Sequence, residues 1–259
     1  MYKTIKYEVA ENVATVTLNR PEVYNAVNND LTYELQDVFK AIADDDSVRV
    51  VVLTGEGKAF CSGQDLKAHM GDEKDSFTNV LNKRYNPLIK AMRALPKPII
   101  GKVNGVAAGA GCSLALACDI IVADENAVFV EVFVNIGLVL DSGSSYFLPR
   151  IVGSKKAFEL ATMANKIKGS EAEALGIVNK AVPTENLNET VKKYADYYAS
   201  APTLAIGLMK KMQNASSTST LDEMLAMETE YQEIVGNSYD YNEGVASFLE
   251  KRKPNFKGK

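Results

Sequence analysis

Residues 101–119 (GKVNGVAAGAGCSLALACD) form a glycine-rich passage between an apolar strand and a short apolar helix. Gly109, Ala110 and Gly111 place backbone without bulky side chains at the helix start, where amide hydrogens have no intrahelical partners. Those amides carry partial positive charge and can hold an anion or a polarised carbonyl oxygen. Close packing of the helix on a sheet needs the same small residues, so both interpretations stay open here. The third glycine of a dinucleotide fingerprint and the Gly-Lys-Ser/Thr of a phosphate loop are both missing.

A second run of small residues, Cys61-Ser62-Gly63, precedes Gln64 and Asp65 at the start of a polar helix. It gives the chain another place where free backbone amides converge. Two such amides from separate loops can form an oxyanion hole, which stabilises negative charge as it develops on a carbonyl oxygen. Asp65 itself is interpreted as a helix cap or a partner of the helix dipole.

Asp141 lies in the stretch IGLVLDSGSSYFLPR (residues 136–150), after apolar residues and before Ser142-Gly143-Ser144-Ser145. The pattern places a carboxylate between an apolar segment and the N-terminus of a helix. An apolar pocket would raise its pKa, whereas the helix start would lower it. An N-cap is the simpler interpretation of the residues alone.

His69 is the chain's histidine, in a polar stretch (LKAHMGDEKD) typical of a solvated helix end or loop. Serine and cysteine hydrolases normally need an imidazole base, so a His-dependent triad is disfavoured. No His, Cys and carboxylate residues share metal-ligand spacing, and we expect no metal site. Cys61, Cys112 and Cys118 lie in apolar contexts and are predicted to be buried and reduced, although Cys112 borders a helix start that could activate it.

The composition is that of a globular protein, with 259 residues of which 46% are hydrophobic and 24% charged. A formal net charge of −4 gives no basic surface for nucleic acid. No apolar run reaches the roughly 18 residues that a membrane span needs, and the first ten residues lack the apolar core of a signal peptide. We therefore expect a cytoplasmic protein that binds neither nucleic acid nor membrane.

Alternating strands and helices in the first part of the chain predict an α/β fold. Strands are predicted at residues 13–18, 48–53, 98–103, 119–123 and 128–134, the last (VFVEVFV) interrupted by Glu131. Helices are predicted at residues 28–43, 77–95 and 112–118. Residues 155–259 are predicted to be nearly all helix, with amphipathic segments at 185–198, 204–212, 221–235 and 241–249. We predict a core over residues 1–200 and a helical segment over 201–259.

These features together resemble the crotonase (enoyl-CoA hydratase/isomerase) superfamily along essentially the whole chain. The resemblance rests on NRPEVYNAV (19–27), AFCSGQDLK (59–67), KPIIGKVNGVAAGAGCSLALACDIIVA (97–123), IGLVLDSGSSYFLPRIVG (136–153) and GVASFLEKRKPNF (244–256). It implies a crotonase-like spiral of ββα turns whose C-terminal helical segment builds a homotrimer or a dimer of trimers. It also implies an acyl-CoA thioester substrate, with CoA as part of the substrate and no separate cofactor.

The resemblance also implies site residues. The backbone amides that hold the thioester oxygen in the family fall on Gln64 and Ala110. The substrate and CoA contacts carried over from the family's loops are Val23, Ala26, Ser62, Asp65 and Leu66. From their position, Phe133, Tyr146 and the polar residues 68–76 are predicted to wall the acyl pocket, and a place in the core is an equally good interpretation of the two aromatic residues.

Family hydratases use two glutamates, and their positions hold Ser113 and Phe133 here. Isomerases of the family, including the ring-opening isomerase of phenylacetate degradation, carry a catalytic aspartate at the position of Asp141. The resemblance thus implies one carboxylate that takes a proton from one carbon and returns it two carbons away. We predict an isomerase that shifts a double bond of an acyl-CoA, or rearranges a ring epoxide of phenylacetyl-CoA, through a stabilised thioester enolate.

Three alternatives remain. An enoyl-CoA hydratase of fatty-acid or aromatic acyl-CoA degradation is the main one, because it shares the fold. Dehalogenases of the superfamily place a nucleophilic aspartate at the position of Asp141, but they also use a histidine and a tryptophan, and this chain has no tryptophan. An RNA-binding member would need a basic surface stripe, which the acidic balance disfavours.

Overall fold

The computed structural model describes residues 2–69 and 76–259. Its strands are β1 (Ile5–Ala10), β2 (Val13–Leu18), β3 (Val50–Gly55), β4 (Ala59–Cys61), β5 (Ile99–Val103), β6 (Val106–Ala108), β7 (Ile120–Asp124), β8 (Val128–Val130), β9 (Ile167–Lys168) and β10 (Lys180–Val182). Its helices are α1 (Asn29–Asp44), α2 (Leu66–His69), α3 (Phe77–Val80), α4 (Asn86–Ala94), α5 (Ala110–Leu116), α6 (Ser144–Val152), α7 (Ser154–Met163), α8 (Gly169–Ala174), α9 (Thr184–Ser200), α10 (Thr203–Ser216), α11 (Leu221–Gly236) and α12 (Tyr239–Glu250). A π-helical turn at Leu81–Tyr85 joins α3 to α4, and 3₁₀ turns occupy Pro21–Val23 and Val132–Ile136. Within the described ranges, no helix is both long enough and apolar enough to cross a membrane.

The strands form two sheets. The larger has the order β1-β2-β3-β5-β7-β10 and is parallel except for β1, which pairs antiparallel with β2. The smaller has the order β4-β6-β8-β9, with β9 antiparallel to β8. The pairs β3/β4, β5/β6 and β7/β8 each add one strand to the large sheet and the next strand to the small one, and helical segments follow each pair. The chain is therefore an α/β spiral of ββα turns, as predicted.

The large sheet is buried on both faces. Strand β3 is buried over its whole length. Its residues Val51 and Leu53 pack into the main core with α1, α4 and α5, whereas Val50 and Val52 pack against α9 on the opposite face. Parallel strands covered on both sides are expected to be continuously apolar, which explains why this strand was easy to predict. The large sheet thereby becomes a rigid base from which the site loops extend.

Several predicted elements differ in the structure. The helix predicted at residues 77–95 contains the π-helical turn, and the strand predicted at 128–134 ends at Val130 because the following residues turn into a 3₁₀ helix. The region predicted to be nearly all helix also contains β9 and β10. Strands of two or three residues carry too little periodicity to detect, and their pairing with β8 and β7 is made by distant parts of the chain.

A buried ion cluster fastens α10 to the rest of the molecule. The ammonium of Lys210 lies 2.7 Å from Asp119 Oδ2 and donates to the carbonyls of Met92 at 3.0 Å and Lys97 at 3.3 Å. Arg93 Nη1 lies 2.8 Å from the other oxygen of Asp119. Burial lowers the pKa of Lys210, and the Asp119 carboxylate opposes that shift. The cluster links the C-terminal helices to the strand that leads into the glycine-rich passage, because Ile99 N donates to Asp119 at 2.9 Å.

We expect Lys210→Met to lower the free energy of unfolding by about 3 kcal/mol, since it removes one partner of a buried charge pair. Urea unfolding followed by circular dichroism measures the change. Lys211→Met, at an exposed position on the same helix, is the matched control and should change stability by less than about 0.5 kcal/mol. Equal effects of the two substitutions would contradict a structural role for the cluster.

Candidate active site

The loop after β4 lies directly against the turn between β6 and α5. Gly63 has φ +92°, and a Cβ there would lie 2.7 Å from Ala108 O and 3.6 Å from Ala110 N. A Cβ at Gly111 would lie 2.2 Å from the carbonyl oxygen of Cys61. No side chain fits at either position without moving backbone, so glycine is required at both. The two glycines bring the backbone around Gln64 close to that of Ala110.

The backbone N–H groups of Gln64 and Ala110 are left free by the hydrogen bonds around them. Val27 N donates to Gly63 O at 2.7 Å, and Asp65 N donates to Val27 O at 2.9 Å. In this parallel bridge the amide of Gln64, between the two bonded residues, faces the other way. Ala110 is the first residue of α5, where an N–H has no intrahelical partner. Over the described part of the chain neither N–H donates a hydrogen bond, and such a pair of donors can hold a developing oxyanion.

The π-helical turn fixes the side chain of Gln64. Tyr85 O–H donates to Gln64 Oε1 at 2.5 Å, and Gln64 Nε2 donates to the carbonyl of Asp65 at 3.3 Å. Burial raises the pKa of Tyr85 above its usual range, so its hydroxyl remains a donor. A π-helical turn holds one residue more than an α-helical turn and often occurs at functional sites. Here it directs the phenol of Tyr85 to the side chain of Gln64, whose backbone N–H is one of the two free donors.

Two of the residues expected to contact CoA are joined to each other. Ser62 N donates to Tyr24 O at 3.0 Å, and its hydroxyl donates to Val23 O at 3.2 Å. The loop after β2 is thereby fastened to the loop after β4. Tyr24 and Asn25 both have positive φ, which folds the first loop back sharply.

The same two loops are joined by an ion pair. Asp65 lies 3.0 Å from Arg20 Nη2, and the Nη1 of that guanidinium donates to the carbonyl of Ala26. Leu66, at the start of α2, is exposed. The structure therefore gathers Val23, Ala26, Ser62 and Asp65 around one loop pair and gives Asp65 an arginine partner that the sequence did not indicate.

Asp141 opens a tight turn. The two central residues, Ser142 and Gly143, have φ +51° and +89°, and Ser144 N donates to Asp141 O at 3.0 Å, as in a type I′ turn. Helix α6 begins at Ser144 and has no side-chain cap, so the interpretation of Asp141 as an N-cap is wrong. Its half-buried carboxylate instead accepts a hydrogen bond from Ser142 Oγ at 2.8 Å. Burial raises the pKa of Asp141, and this hydrogen bond opposes the shift.

A chain of polar side chains lies behind Asp141. Ser113 Oγ is 3.1 Å from the backbone oxygen of Asp141 and 2.8 Å from Ser144 Oγ, which is itself 2.8 Å from Glu131 Oε1. Glu131 is only 3% exposed, and its other oxygen, Oε2, has no hydrogen-bond partner. Burial raises the pKa of Glu131 to about 7, with Ser144 and Cys112 opposing the shift and the charge of Asp141 adding to it. The only sequence signal for this buried acid was a charged residue within an apolar run.

The two aromatic residues predicted to wall the pocket lie in different places. Phe133 is buried beside Gly109, with its ring Cζ 3.9 Å from where a Cβ of that glycine would be. Tyr146 is partly exposed, with its hydroxyl 2.8 Å from Ser217 Oγ and the guanidinium of Arg150 3.6 Å from its ring centroid. No hydrogen bond within the described residues joins Tyr146 to Asp141, so its part in a pocket stays a prediction. Of residues 68–76, which were also predicted to line the pocket, 70–75 lie outside the described residues.

Cys61, Cys112 and Cys118 are free and buried, as predicted. Burial raises the pKa of all three thiols, and the neighbouring carboxyl of Glu131 raises that of Cys112 further. The suggestion that the helix start activates Cys112 is therefore wrong, because loss of solvation outweighs the helix dipole at that position.

Comparison with known proteins gives a consistent result. The enoyl-CoA hydratase/isomerase family matches residues 8–259. The chain is 40% identical to the 1,2-epoxyphenylacetyl-CoA isomerase of Escherichia coli K12, with 100% of both chains covered. It is 41% identical to the "probable enoyl-CoA hydratase" of Rhodobacter capsulatus, covering 100% of this chain and 99% of that one. The crystal structure of the enoyl-CoA hydratase from Bacillus anthracis superimposes with a TM-score of 0.94 at 32% identity, over 99% of this chain and 100% of that one.

Glu131 makes stability depend on pH. Because burial raises its folded-state pKa from 4.5 to about 7, its contribution is full below pH 4.5 and is lost as the pH rises to about 7, a loss of about 3 kcal/mol at 1.36 kcal/mol per pKa unit. Glu131→Gln removes this loss, so the variant should gain stability relative to wild type between about pH 5 and about pH 8.

Urea unfolding at both pH values measures this gain. Glu125→Gln, in the exposed turn before β8, is the control and should differ from wild type by less than about 0.5 kcal/mol at each pH. A Glu131→Gln difference that does not change with pH would contradict a neutral buried acid.

Proposed function

Because the chain belongs to the enoyl-CoA hydratase/isomerase family, we propose that it is an acyl-CoA isomerase with Asp141 as its acid and base. It shifts a carbon–carbon double bond or rearranges a ring epoxide of phenylacetyl-CoA. The observation that carries the proposal is the half-buried carboxylate of Asp141, whose backbone oxygen lies 3.1 Å from Ser113 Oγ, one helical turn along α5 from Ala110. Ser113 and Phe133 stand where hydratases have glutamates. The family acts on CoA thioesters, so CoA arrives as part of the substrate.

The two free amides polarise the substrate. The thioester oxygen accepts hydrogen bonds from the N–H groups of Gln64 and Ala110, which stabilise the charge that appears on it as the neighbouring carbon loses a proton. Backbone donors fixed by Gly63 and Gly111 need no reorganisation during the reaction. The Tyr85 hydroxyl keeps Gln64 in place from the other side.

Asp141 moves the proton. Its carboxylate takes a proton from the carbon next to the thioester, which gives a dienolate when the substrate is a 3-enoyl-CoA, and returns a proton two carbons further along. The double bond moves into conjugation, one proton is removed and one returned, and no water is consumed. The same enolate chemistry suits the ring epoxide that appears in the name of the E. coli relative.

Hydration of a 2-enoyl-CoA is the second candidate, because the R. capsulatus relative and the B. anthracis structure carry that name. Addition of water needs one group to activate the water and another to handle the α-proton. Ser113 already bonds within the protein, Phe133 is apolar, and the carboxyl of Glu131 lies behind Ser144. These contacts favour the isomerase.

Asp141→Asn keeps the shape of the side chain but removes the base. We expect kcat for conversion of 3-enoyl-CoA to 2-enoyl-CoA to fall about 10³-fold, as is typical when a general base is lost, while KM changes little. Absorbance of the conjugated thioester and its mass in deuterated water measure the reaction. Asp46→Asn, in the exposed turn after α1, is the control and should match wild type.

Full activity of Asp141→Asn would exclude the proposed role, and rapid accumulation of 3-hydroxyacyl-CoA from 2-enoyl-CoA would establish hydration instead.

The pH profile of the wild-type enzyme gives an independent check on Asp141. Because Asp141 must be ionised to accept a proton and burial raises its pKa, kcat/KM should fall on acidification at a pH above the usual range of an aspartate.

We further propose that the chain forms a homotrimer or a dimer of trimers through its C-terminal helices. An apolar groove of about 450 Å³ lies between α10, α11 and α12. Beside it, Phe248 and Leu249 on α12 are 82% and 74% exposed. Large apolar side chains clustered in this way are typical of a subunit interface.

Light scattering should give three or six times the chain mass of 28.2 kDa. The double variant Phe248→Asp/Leu249→Asp should lower the mass, because it would bury two carboxylates at the interface. Tyr33→Asp, at an exposed apolar position on α1, is the control and should keep the wild-type mass. A monomeric wild type would contradict the proposed assembly.

A further inference from the structure

Glu131 lies in a buried position where an ionised carboxylate would destabilise the folded protein. The residue follows β8 and turns inward, and its side chain is almost completely buried. One carboxyl oxygen meets a serine hydroxyl, and the other meets no hydrogen-bond donor. An ionised carboxylate normally needs several donors when it is removed from water. The site is therefore built for a neutral carboxylic acid, whose carbonyl oxygen tolerates the lack of a partner far better.

The described surroundings of Glu131 are mostly apolar, apart from the thiol of Cys112 and the amide of Asn165. A small cavity of about 10 Å³ beside it is lined by Leu116, Phe129, Leu148 and Ile167 among others. That space holds at most a single water molecule. The carboxyl is thus closed off on this side, and its polar route out runs through Ser144.

That route leads to the base. Glu131 Oε1, Ser144 Oγ and Ser113 Oγ are joined by two contacts of 2.8 Å each, and Ser113 Oγ lies 3.1 Å from the carbonyl oxygen of Asp141. Ser144 also donates its backbone N–H to the same carbonyl. The tight turn that carries Asp141 is therefore held at its carbonyl oxygen by Ser113 and by Ser144.

Each serine hydroxyl has one proton, so the direction of the chain depends on Glu131. A neutral Glu131 donates to Ser144, which then donates to Ser113. The proton of Ser113 is then left for a backbone carbonyl, and that of Asp141 at 3.1 Å is nearer than that of Gly109 at 3.3 Å. An ionised Glu131 takes the proton of Ser144, and Ser113 then turns its proton toward Ser144 Oγ, the closer acceptor. Only the neutral acid gives the Asp141 carbonyl its second hydrogen bond.

We propose that Glu131 is a positioning residue for Asp141, which, as a neutral acid, orients the Ser144–Ser113 pair and so fixes the turn that carries the base. It does not touch the substrate and acts only through the serines. The inference rests on the proposed function for its link to catalysis, whereas the protonation of Glu131 can be measured without it.

The charged and titratable groups around this chain are few. Cys112 on α5 and Asp141 before α6 act on Glu131: the thiol through a side-chain hydrogen bond that lowers the pKa of Glu131, and Asp141 through its charge, which raises it. Leu160 of α7 and Ile167 of β9, which line the cavity beside it, are apolar, and Asn165 between these elements carries an uncharged amide. Tyr85, from the π-helical turn, faces Asp141. Burial raises the pKa values of Tyr85 and Cys112 further from neutrality. Burial also raises the pKa of Asp141, so the Glu131→Gln variant is what assigns a titration near neutral pH to Glu131.

The first test compares kcat/KM of wild type, Glu131→Gln and Glu131→Met from about pH 5 to about pH 9, with 3-enoyl-CoA as substrate. Wild type should lose activity as the pH rises through about 7. Glu131→Gln, whose amide always donates to Ser144, should restore most of the activity and abolish this loss. Glu131→Met, of similar size but without a donor, should lower kcat about tenfold at every pH, the effect of one lost hydrogen bond on the base, with KM unchanged.

The variants must also be separated from simple misfolding. Ser144→Ala keeps the acid but breaks the chain, and it should show the low, pH-independent kcat of Glu131→Met once both rates are divided by the folded fraction measured by circular dichroism. A wild-type pH profile in Glu131→Gln or in Ser144→Ala would overturn the proposal. So would a fall in the kcat of Glu131→Met that is fully explained by its unfolded fraction.

A second measurement does not need turnover. The infrared carbonyl stretch of a protonated carboxylic acid should be present at about pH 6, disappear above about pH 8, be absent in Glu131→Gln, and shift in Ser144→Ala. If wild type proves inactive as an isomerase while this signal titrates as expected, the proposed function fails and the neutral acid stands. If the signal is absent from wild type at about pH 6, the positioning role fails, whatever the reaction.

Discussion

Two backbone segments approach each other at Gly63 and Gly111 more closely than any side chain would allow, and the arrangement of the candidate site depends on this approach. This close approach joins the ββα turn that contains β3 and β4 to the next one, which contains β5 and β6. Strands β4 and β6 pair side by side, so the residues that follow each strand emerge at the same edge of the small sheet. The backbone around Gln64 and that around Ala110 come close there because Gly63 and Gly111 have no side chain to separate them.

The second determinant of the site is loss of solvation. Asp141 and Glu131 are both acids whose pKa is raised by burial, but their neighbours differ. Asp141 keeps part of its surface exposed and has a hydroxyl donor beside it, which suits a group that must ionise to accept a proton. Glu131 has lost almost all contact with water and has one unpaired oxygen, which suits a group that stays neutral. Two carboxyl groups close in space can thus hold different protonation states at one pH.

The parts of the site with a local cause could be predicted from the sequence. Glycine and alanine at a strand-to-helix junction are required by the backbone itself, so the surroundings of Gln64 and Ala110 were recognisable. The acid chain was not, since Ser144 lies 13 residues from Glu131 and 31 from Ser113. The interpretation of Asp141 as an N-cap was wrong for a related reason. The start of α6 is set by positive φ at Ser142, which a serine rarely adopts and the sequence does not indicate. The ion pair between Arg20 and Asp65, 45 residues apart, was hidden in the same way.

The π-helical turn at Leu81–Tyr85 has a consequence for how this chain tolerates change in length. It amounts to one surplus residue in an otherwise α-helical segment, and deleting that residue would relieve the local distortion. The deletion would also change the direction of the side chains within the turn, Tyr85 among them, because the widened turn is what accommodates the extra residue. The phenol that holds Gln64 would then leave its partner, although the helix itself would be better formed. Insertions and deletions in this helix are therefore constrained by a single hydroxyl group, and a segment that looks like an ordinary amphipathic connector has a fixed length.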